Sequence, residues 1–403
     1  MAHGPIRPLA GVRVLALEQM LALPAATQIL SRLGAEVVKI EPPGGEGGRA
    51  SRPRALDASD SEVGATFIRG NRGKQSIVLD LKQPEGVELF YRLLPRFDIF
   101  AENLRPGVTA RLGIDYARVS QASPRTIYLS VSGFGNGSSP YGTYPAFAAV
   151  GEAVAGLYEF RRPEGEAPRV GASGPIGDLS AALYAAIGAL AALRLRESTG
   201  CGTHVDIAMA DTALAMNDMA VNLWSMNAMD IADGRNVGVL TSFRASDGYF
   251  VVVIIREHLW QRFCAVIGQP GWLTDPQLQS RSDWSANLET RIRPAVETWA
   301  ADKTKREAVA ALATAGVPAG PSNEPADVAD DPHYRARQMI ESVPGLSGDQ
   351  VLVVGNPIKF LGQELPEPGG LPTLGEHTRA LLTGELGLDS EKITEYFDHG
   401  GVA

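Results

Sequence analysis

The sequence predicts an α/β protein with a Rossmann-like large domain built on a parallel sheet, plus a smaller α/β domain. Short β-branched runs alternate with helical stretches through the N-terminal third, and strands that alternate with helices form parallel sheets covered by helices. The chain of 403 residues is long enough for two domains. Its middle part changes character, because polar helical stretches follow an apolar strand there, and this change predicts the second domain.

The predicted elements of the large domain follow one another at short intervals. Residues 12–17 are predicted to form a strand, and residues 24–33 a helix that begins at a proline and stops at Gly34. An Ala-rich helix is predicted over residues 179–196 and another helix over about 211–226. The other predicted elements are strands at 36–40, 76–81, 98–101, 126–131 and 203–208 and a helix at 84–94.

The second half of the chain predicts the smaller domain and a return to the first. A strand is predicted at 249–255, followed by polar helices and by a proline- and acid-rich linker at 318–332. A strand at 351–354 and a helix after Gly375 are predicted to rejoin the large domain. The predicted division is therefore 1–224 and 331–403 for the large domain and 225–330 for the small one.

Composition argues against several classes of function. The net charge of −9 disfavours a nucleic-acid partner, because neutralising many phosphates needs a surplus of Lys and Arg. Cys201 and Cys264 lie far apart without the spacing of a zinc site or a disulfide framework. The longest apolar run, 180–193, is shorter than the roughly 20 residues that span a bilayer, and residues 1–8 lack the apolar core of a secretory signal. We expect a cytoplasmic protein without a membrane helix or a metal.

Two glycine-rich loops, at 42–48 and 133–142, interrupt the alternating pattern. Neither matches GxGxxG directly after a strand, and neither contains GK[ST], so the usual dinucleotide and triphosphate motifs are missing. The second loop reads SGFGNG around Ser132 and differs from the GxSxG of a nucleophile elbow. The loops therefore disfavour an NAD, ATP or serine-hydrolase site.

A series of sequence blocks resembles the family III CoA transferases, a group that includes formyl-CoA:oxalate and carnitine CoA transferases and, as a mechanistic outlier, the α-methylacyl-CoA racemases. Together the blocks run over nearly the full length of the chain. They are LAGVRVLAL (9–17), LGAEVVKIEPPGG (33–45), NRGKQSIVLDLKQPEG (71–86), ENLRPGV (102–108), RLGIDY (111–116), SVSGFG (130–135), GPIGDLSAALYAAIGALAAL (174–193), TGCGTHVDIAM (199–209), ASDGYFVV (245–252), AGVPAG (315–320) and LGEHTRALL (374–382).

The resemblance implies a reaction and an assembly. Enzymes of this family move CoA between an acyl-CoA thioester and a free carboxylic acid through a covalent aspartyl-CoA intermediate. Coenzyme A enters as a substrate, and no tightly bound cofactor is implied. The family also implies an interlocked homodimer in which each chain has a Rossmann-like large domain and a smaller one.

Asp178 carries the proposed chemistry, and two interpretations of it stay open. It precedes a long Ala-rich helix, so it is interpreted either as an N-cap that accepts bonds from first-turn amides or as the nucleophile that the resemblance implies. Helix N–H groups and the positive end of the macrodipole favour an ionised carboxylate. The same amides are candidates for stabilising a thioester oxyanion.

The resemblance also implies the residues that contact CoA. Within the matching blocks, Lys82, Asn103 and Arg111 are predicted to contact the nucleotide and its phosphates, with Leu79 and Leu104 beside the adenine. Arg72 and Lys74 belong to the same basic cluster and are further candidates. The alternative is that the charged side chains are solvated surface groups near helix ends.

Departures from the family patterns bear on the choice of reaction. The racemases need an acid and a base on opposite faces of the α-carbon, and Phe147 stands where they have a histidine. Ala148 and Leu21 replace polar residues of the oxalate-type enzymes, so we expect an apolar pocket and an acceptor less polar than oxalate. The shielding glycine-rich loop of those enzymes is not evident at 238–243, and His204 is interpreted as structural or interfacial rather than catalytic.

Three hypotheses therefore remain: a CoA transferase, an α-methylacyl-CoA racemase-like isomerase, and an acyl-CoA binding protein without turnover. They share a fold, and only the chemistry of the site separates them.

Overall fold

The computed structural model describes residues 4–57, 59–137, 139–160, 162, 165–171, 174–229 and 237–402. The chain forms two compact units. The first contains the N-terminal residues through Glu159, Ala167–Asn217 and the C-terminal part from His333; the second contains Phe160–Glu166 and Asp218–Pro332. The division at 224 and 330 remains a prediction.

The first unit is built on a six-stranded parallel sheet. Its strands are β1 (Arg13–Leu17), β2 (Glu36–Glu41), β5 (Gln75–Val78), β6 (Ile99–Glu102), β7 (Ile127–Ser132) and β8 (His204–Ala208). Between β2 and β5 the chain forms a separate small hairpin of β3 (Arg54–Leu56) and β4 (Glu62–Gly64). The order in the sheet is β5-β2-β1-β6-β7-β8, and all neighbours are parallel. This is the order of a doubly wound dinucleotide-type fold, with its switch point between β1 and β6. The predicted fold class is confirmed.

The sheet is buried on both faces, which explains why its strands read as continuous apolar runs. On β1, Val14 and Ala16 face one core, and Leu15 and Leu17 face the other. Val14 pairs in register with Val37 of β2 and lies opposite Ile99 of β6. The alternation of side chains along each strand thus supplies two separate cores from one apolar run.

Helices cover the two faces of this sheet. They are α1 (Ala22–Arg32), α2 (Ala65–Gly70), α3 (Pro84–Leu93), α4 (Val108–Leu112), α5 (Tyr116–Ala122), α6 (Ala148–Val154), α7 (Ile176–Thr199) and, near the C-terminus, Thr378–Leu386 and Ser390–Asp398. Alanines spaced three or four apart on α7, such as Ala181, Ala185 and Ala189, are buried in one core with α1. Small side chains at this spacing allow a close approach of the two helices.

Helix α7 is the only described helix long and apolar enough to cross a membrane by length and composition, with a mean hydropathy of 1.7. Its alanine face, however, packs in the core with α1 and β7. A helix that buries one face in this way has the character of a core helix of a globular domain.

The second unit contains a three-stranded antiparallel sheet, and the C-terminal part of the first unit contributes a hairpin. The sheet has the order β11 (Ala319–Pro321), β10 (Gly248–Ile254), β9 (Val239–Ala245), and the hairpin joins β12 (Ile340–Pro344) to β13 (Gln350–Val354). Stacked rings of Trp260, Trp272 and Trp284 fill the core of the second unit. The remaining helices lie at Glu257–Val266, Arg281–Ala286, Arg293–Ala300, Lys305–Thr314, Pro325–Asp330 and Pro332–Ala336.

Two predicted elements are wrong in detail. The single helix expected over 211–226 is two helices, α8 (Met209–Met216) and α9 (Asp218–Ser225). Buried Asn217 separates them, and its side-chain Nδ2 donates to the carbonyl oxygen of Ala155 at 3.0 Å. The linker expected over 318–332 instead contains β11 and a helix, because pairing with β10 supplies backbone partners that composition does not reveal.

Candidate active site

A cavity of about 310 Å³ lies at the carboxyl ends of β1, β6, β7 and β8, beside the switch point of the sheet. Ligands of open α/β sheets bind in this crevice because the loops that leave neighbouring strands diverge there. The residues that line it are Gln19, Met20, Leu21, Ala22, Thr66, Arg69, Asn103, Val131, Ala146, Phe147, Pro175, Asp178 and Met209. Asp178 and Asn103, which the sequence singled out separately, thus share one cavity.

Asp178 is the third residue of α7, inside the first helical turn rather than at the cap position. Pro175 occupies the N-cap position and makes no side-chain cap hydrogen bond. The interpretation of Asp178 as an N-cap is therefore wrong. Its partly exposed carboxyl group lies on the cavity wall instead.

The environment of Asp178 favours the neutral carboxyl group more than the sequence suggested. Burial, together with the negative charge of Glu152, raises the pKa of Asp178 to about 6, and Arg69 opposes this rise. The N–H of Gly177 lies in the first turn of α7, where amides have no acceptor within the helix. It donates to Oε1 of Glu152 at 2.8 Å. An amide expected to serve Asp178 or an oxyanion is thus already bound. Above a pH of about 6 Asp178 is ionised and able to act as a nucleophile.

The loop between β1 and α1 forms one side of the cavity and is tied down at two points. The amide N–H of Gln19 donates to Oδ1 of Asn103, and Nδ2 of Asn103 donates to the carbonyl oxygen of Gln19, both at 2.9 Å. The N–H of Met20 donates to Oε2 of Glu46 at 3.1 Å. Met20 has a φ of 61°, a left-handed conformation uncommon for a side chain of its type. The surrounding bonds hold this strained loop in place.

A buried network of charges lies directly behind that loop. Nζ of Lys74 lies 2.6 Å from Oε1 of Glu18, and Nζ of Lys39 lies 3.7 Å from Glu18 and 3.6 Å from Glu46. The side chains of Lys39, Lys74 and Glu18 are fully buried. Burial lowers the pKa of Lys74 to about 8, although the attraction of Glu18 opposes it. The network therefore belongs to the scaffold of the cavity.

The structure separates the predicted CoA contacts into two groups. Lys74 is enclosed by protein acceptors, Arg72 forms an ion pair with Glu341, and the Leu79 side chain is 1% exposed inside the core. Ligand atoms cannot reach the enclosed side chains of Lys74 and Leu79, and the half-buried Arg72 is already bound to Glu341. We therefore do not propose these three as direct contacts.

The other predicted contacts have accessible side chains near the carboxyl edge of the sheet. Lys82 follows β5 and is exposed, and Arg111 lies exposed on α4 after β6. Asn103 and Leu104 follow β6 directly and are partly exposed. The carboxyl ends of parallel strands meet at one edge, so this placement is compatible with one ligand.

The three departures from the family patterns also have places in the structure. Phe147 is 68% exposed and Leu21 is 6% exposed, and both line the cavity. Ala148, which begins α6, is buried and does not line it. The segment at 238–243 lies largely in β9 and pairs with β10 rather than forming a loop.

The hydroxyl of Ser130 lies between two possible triad partners without forming a nucleophile site. It donates to Oδ1 of Asp206 at 2.9 Å and lies 2.8 Å from Nε2 of His204. A nucleophilic serine instead gives its proton to a histidine that a carboxylate orients. These three side chains join β7 to β8, which is compatible with a structural role for His204.

Sequence reasoning missed two charged residues at the site, Glu152 and Arg69. Glu152 lies one helical turn after Ala148 on α6, and Arg69 lies on α2, before the basic cluster that the sequence singled out. Neither belongs to a chemical motif. Only the packing of α6 and α2 around the start of α7 brings them to Asp178.

Comparison with known proteins groups this chain with enzymes of CoA transfer. The model of CoA-transferase family III matches residues 9–378. The acetyl-CoA:oxalate CoA-transferase of Acetobacter aceti is 35% identical over 94% of this chain and 95% of its own length. The succinyl-CoA:mesaconate CoA-transferase of Haloarcula hispanica is also 35% identical, over 94% of this chain and 96% of its own length. A solved CAIB/BAIF family protein from Brucella suis has a TM-score of 0.80 at 28% identity, covering 94% of this chain and all of that one.

Proposed function

This chain belongs to the family III CoA-transferases, and on that premise we propose that it transfers CoA between an acyl-CoA and a free carboxylic acid through a covalent intermediate on Asp178. The observation that supports the proposal is the placement of Asp178. Its carboxyl group lies on the wall of the cavity at the switch point, with a pKa of about 6 caused by burial and Glu152. It is therefore ionised at neutral pH, as a nucleophile must be.

The proposed reaction conserves charge at each step. A carboxylate oxygen of Asp178 attacks the thioester carbonyl, the C–S bond breaks, and a mixed anhydride and CoA thiolate form. The thiolate attacks the Asp178 carbonyl of the anhydride, which gives the aspartyl-CoA thioester and frees the first acid as a carboxylate. The acceptor carboxylate then attacks this thioester, and the released thiolate attacks the acceptor's carbonyl. The new acyl-CoA leaves, and Asp178 is regenerated without a net proton change.

The side chains around the cavity suggest the class of acceptor acid. Arg69 supplies a guanidinium that can bind a carboxylate. Leu21 and Phe147 add apolar surface. We propose an acceptor with one carboxylate near Arg69 and an apolar body, less polar than the oxalate and mesaconate named for the relatives.

A second copy of this chain is the proposed partner. The side chains of Leu179, Leu183, Ile187 and Leu190 are 37–60% exposed along one face of α7. A continuous apolar face of this kind is typical of an interface rather than of a free surface. The family resemblance adds that the two copies interlock.

The function can be tested with polar and with apolar acceptor acids. The protein is incubated in deuterated water with acetyl-CoA, succinyl-CoA or 2-methylacyl-CoA and a panel of acids that includes oxalate, mesaconate and branched monocarboxylates. Mass spectrometry then detects new CoA esters and deuterium at the α-carbon. New esters with apolar acids support the proposal. Deuterium without new esters would establish an isomerase instead, and CoA binding without either product would establish a binding protein.

The proposed CoA contacts predict a selective effect of charge reversal. Changing Arg111 to Glu should raise KM for the acyl-CoA by about 10-fold or more, because a charge-assisted contact to phosphate is lost. KM for the acceptor acid should change little. The matched control is Lys392→Glu, since Lys392 is exposed on the helix Ser390–Asp398 and pairs with Glu395. Equal changes in both KM values, or none, would remove Arg111 from the CoA site.

A further inference from the structure

We propose that Glu152, a buried residue behind the cavity, is a positioning residue that controls the charge state of Asp178 and favours its acylated form. The inference deepens the proposed function, because it concerns the same nucleophile. It assigns a role to a carboxylate that does not touch the substrate and that no chemical motif identifies.

Contacts on both oxygens fix the Glu152 carboxylate in position. Oε1 accepts the N–H of Gly177 at 2.8 Å, and Oε2 accepts the hydroxyl proton of Tyr158 in a short hydrogen bond. The residue is 2% exposed. Its helix packs tightly on α7, since a Cβ at Gly177 would lie 3.0 Å from the carbonyl oxygen of Ala148. The negative charge of Glu152 is therefore bound to the backbone of Gly177, the residue directly before Asp178.

Two hydrogen bonds stabilise the carboxylate of Glu152. Donors to an ionised carboxylate stabilise it, and Glu152 has two such donors. Burial and the bond and charge of Glu152 raise the pKa of Tyr158 to about 12, so the phenol stays a donor. The repulsion from Glu152, together with burial, raises the pKa of Asp178.

Among the residues that the structure describes, the other elements around Asp178 bring one opposing charge. Arg69 on α2 lowers the pKa of Asp178, while burial and Glu152 raise it. The contact of α7 with α8 is made by the hydroxyl groups of Ser180 and Thr212, 3.1 Å apart. Alanine side chains make the contact with α1. Within the described part of the chain, Glu152 and Arg69 are thus the charges that act, beside burial, on the titration of Asp178.

This repulsion disappears when Asp178 becomes acylated. The free enzyme holds two neighbouring carboxylates, but the mixed anhydride and the aspartyl-CoA thioester are neutral at Asp178. Glu152 therefore destabilises the free carboxylate relative to both covalent intermediates, and it makes the nucleophile more basic. As the pH falls, Asp178 therefore becomes protonated at a higher pH than an ordinary aspartate does.

The test compares Glu152→Gln with Tyr158→Phe in otherwise intact protein. Glutamine keeps an oxygen for the Gly177 N–H but removes the charge. We expect the acid limb of kcat/KM for CoA exchange to move down by on the order of one pH unit, and the fraction of Asp178 found as covalent adduct to fall. Tyr158→Phe keeps the charge and the Gly177 donor, and it should move the limb much less than Glu152→Gln does. An unmoved acid limb and an unchanged adduct fraction in folded Glu152→Gln would overturn the inference.

Two further measurements keep this test separate from the proposed function. Carbon-13 NMR of labelled aspartate carboxyl groups, assigned with Asp178→Asn, follows the titration of Asp178 without turnover. It must show the same downward shift in Glu152→Gln even if CoA exchange itself is absent. If Glu152→Gln does not fold, Glu152→Asp replaces it: the shorter side chain draws the charge back from Gly177, so the titration must still shift downward, and no shift contradicts the inference.

Discussion

Replacing Asp178 with Asn is expected to lower kcat/KM for CoA exchange by roughly 10³-fold or more, while CoA still binds. The carboxamide cannot form the anhydride that starts the proposed reaction. Exchange is measured by mass spectrometry of CoA esters, and CoA binding is measured separately by calorimetry. Loss of exchange together with loss of CoA binding would indicate a structural role for Asp178.

The stability of the same variant supplies the control. The pKa of Asp178 is raised from 3.8 to about 6 in the folded protein, so ionisation of this group opposes folding. The cost is absent below the unfolded pKa, grows as pH rises toward 6, and is constant above it. Asp178→Asn should therefore raise the free energy of unfolding at pH 7 by about 1–2 kcal/mol after allowance for solvent screening. A helix cap would give the opposite sign.

Replacing Lys74 with Met should reduce the free energy of unfolding by about 3–5 kcal/mol, because it leaves the buried Glu18 carboxylate with less compensation. The ammonium of Lys74 contacts Glu18 at 2.6 Å and also donates to Thr27 and to the carbonyl oxygen of Pro24. Chemical denaturation measures the change. The matched variant Lys82→Met removes an exposed charge and should stay within about 0.5 kcal/mol of the wild type.

The two lysines thus give opposite patterns. Lys82→Met should weaken acyl-CoA binding with little effect on stability, and Lys74→Met should weaken the fold. Unchanged stability of Lys74→Met with a raised KM for acyl-CoA would show that Lys74 contacts CoA after all.

Local patterns were sufficient to predict the fold class. The strand predicted at 12–17 and the helix predicted at 24–33 correspond to β1 and α1 within two residues at each end, because periodicity and the Pro and Gly signals act within a few residues. The strand order could not be predicted in this way. It depends on pairings such as Val14 with Ile99, which are far apart in sequence. The short strand β11 was missed for the same reason.

The site was predictable only where a motif carried it. Asp178 and Asn103 were singled out by resemblance, and the structure places both on one cavity. A lysine in a basic block looks the same in sequence whether it is exposed, as Lys82 is, or enclosed, as Lys74 is. Burial is a property of tertiary packing, and it decides which charges are available to a ligand.

The most direct test of the proposed mechanism is to locate the covalent adduct. Wild-type protein is given acyl-CoA without an acceptor acid, treated with hydroxylamine, digested and examined by peptide mass spectrometry. The mechanism predicts a hydroxamate on Asp178, because the anhydride and the thioester both react with hydroxylamine, and it predicts none in Asp178→Asn. A hydroxamate on another residue, or CoA exchange without any adduct on Asp178, would contradict it.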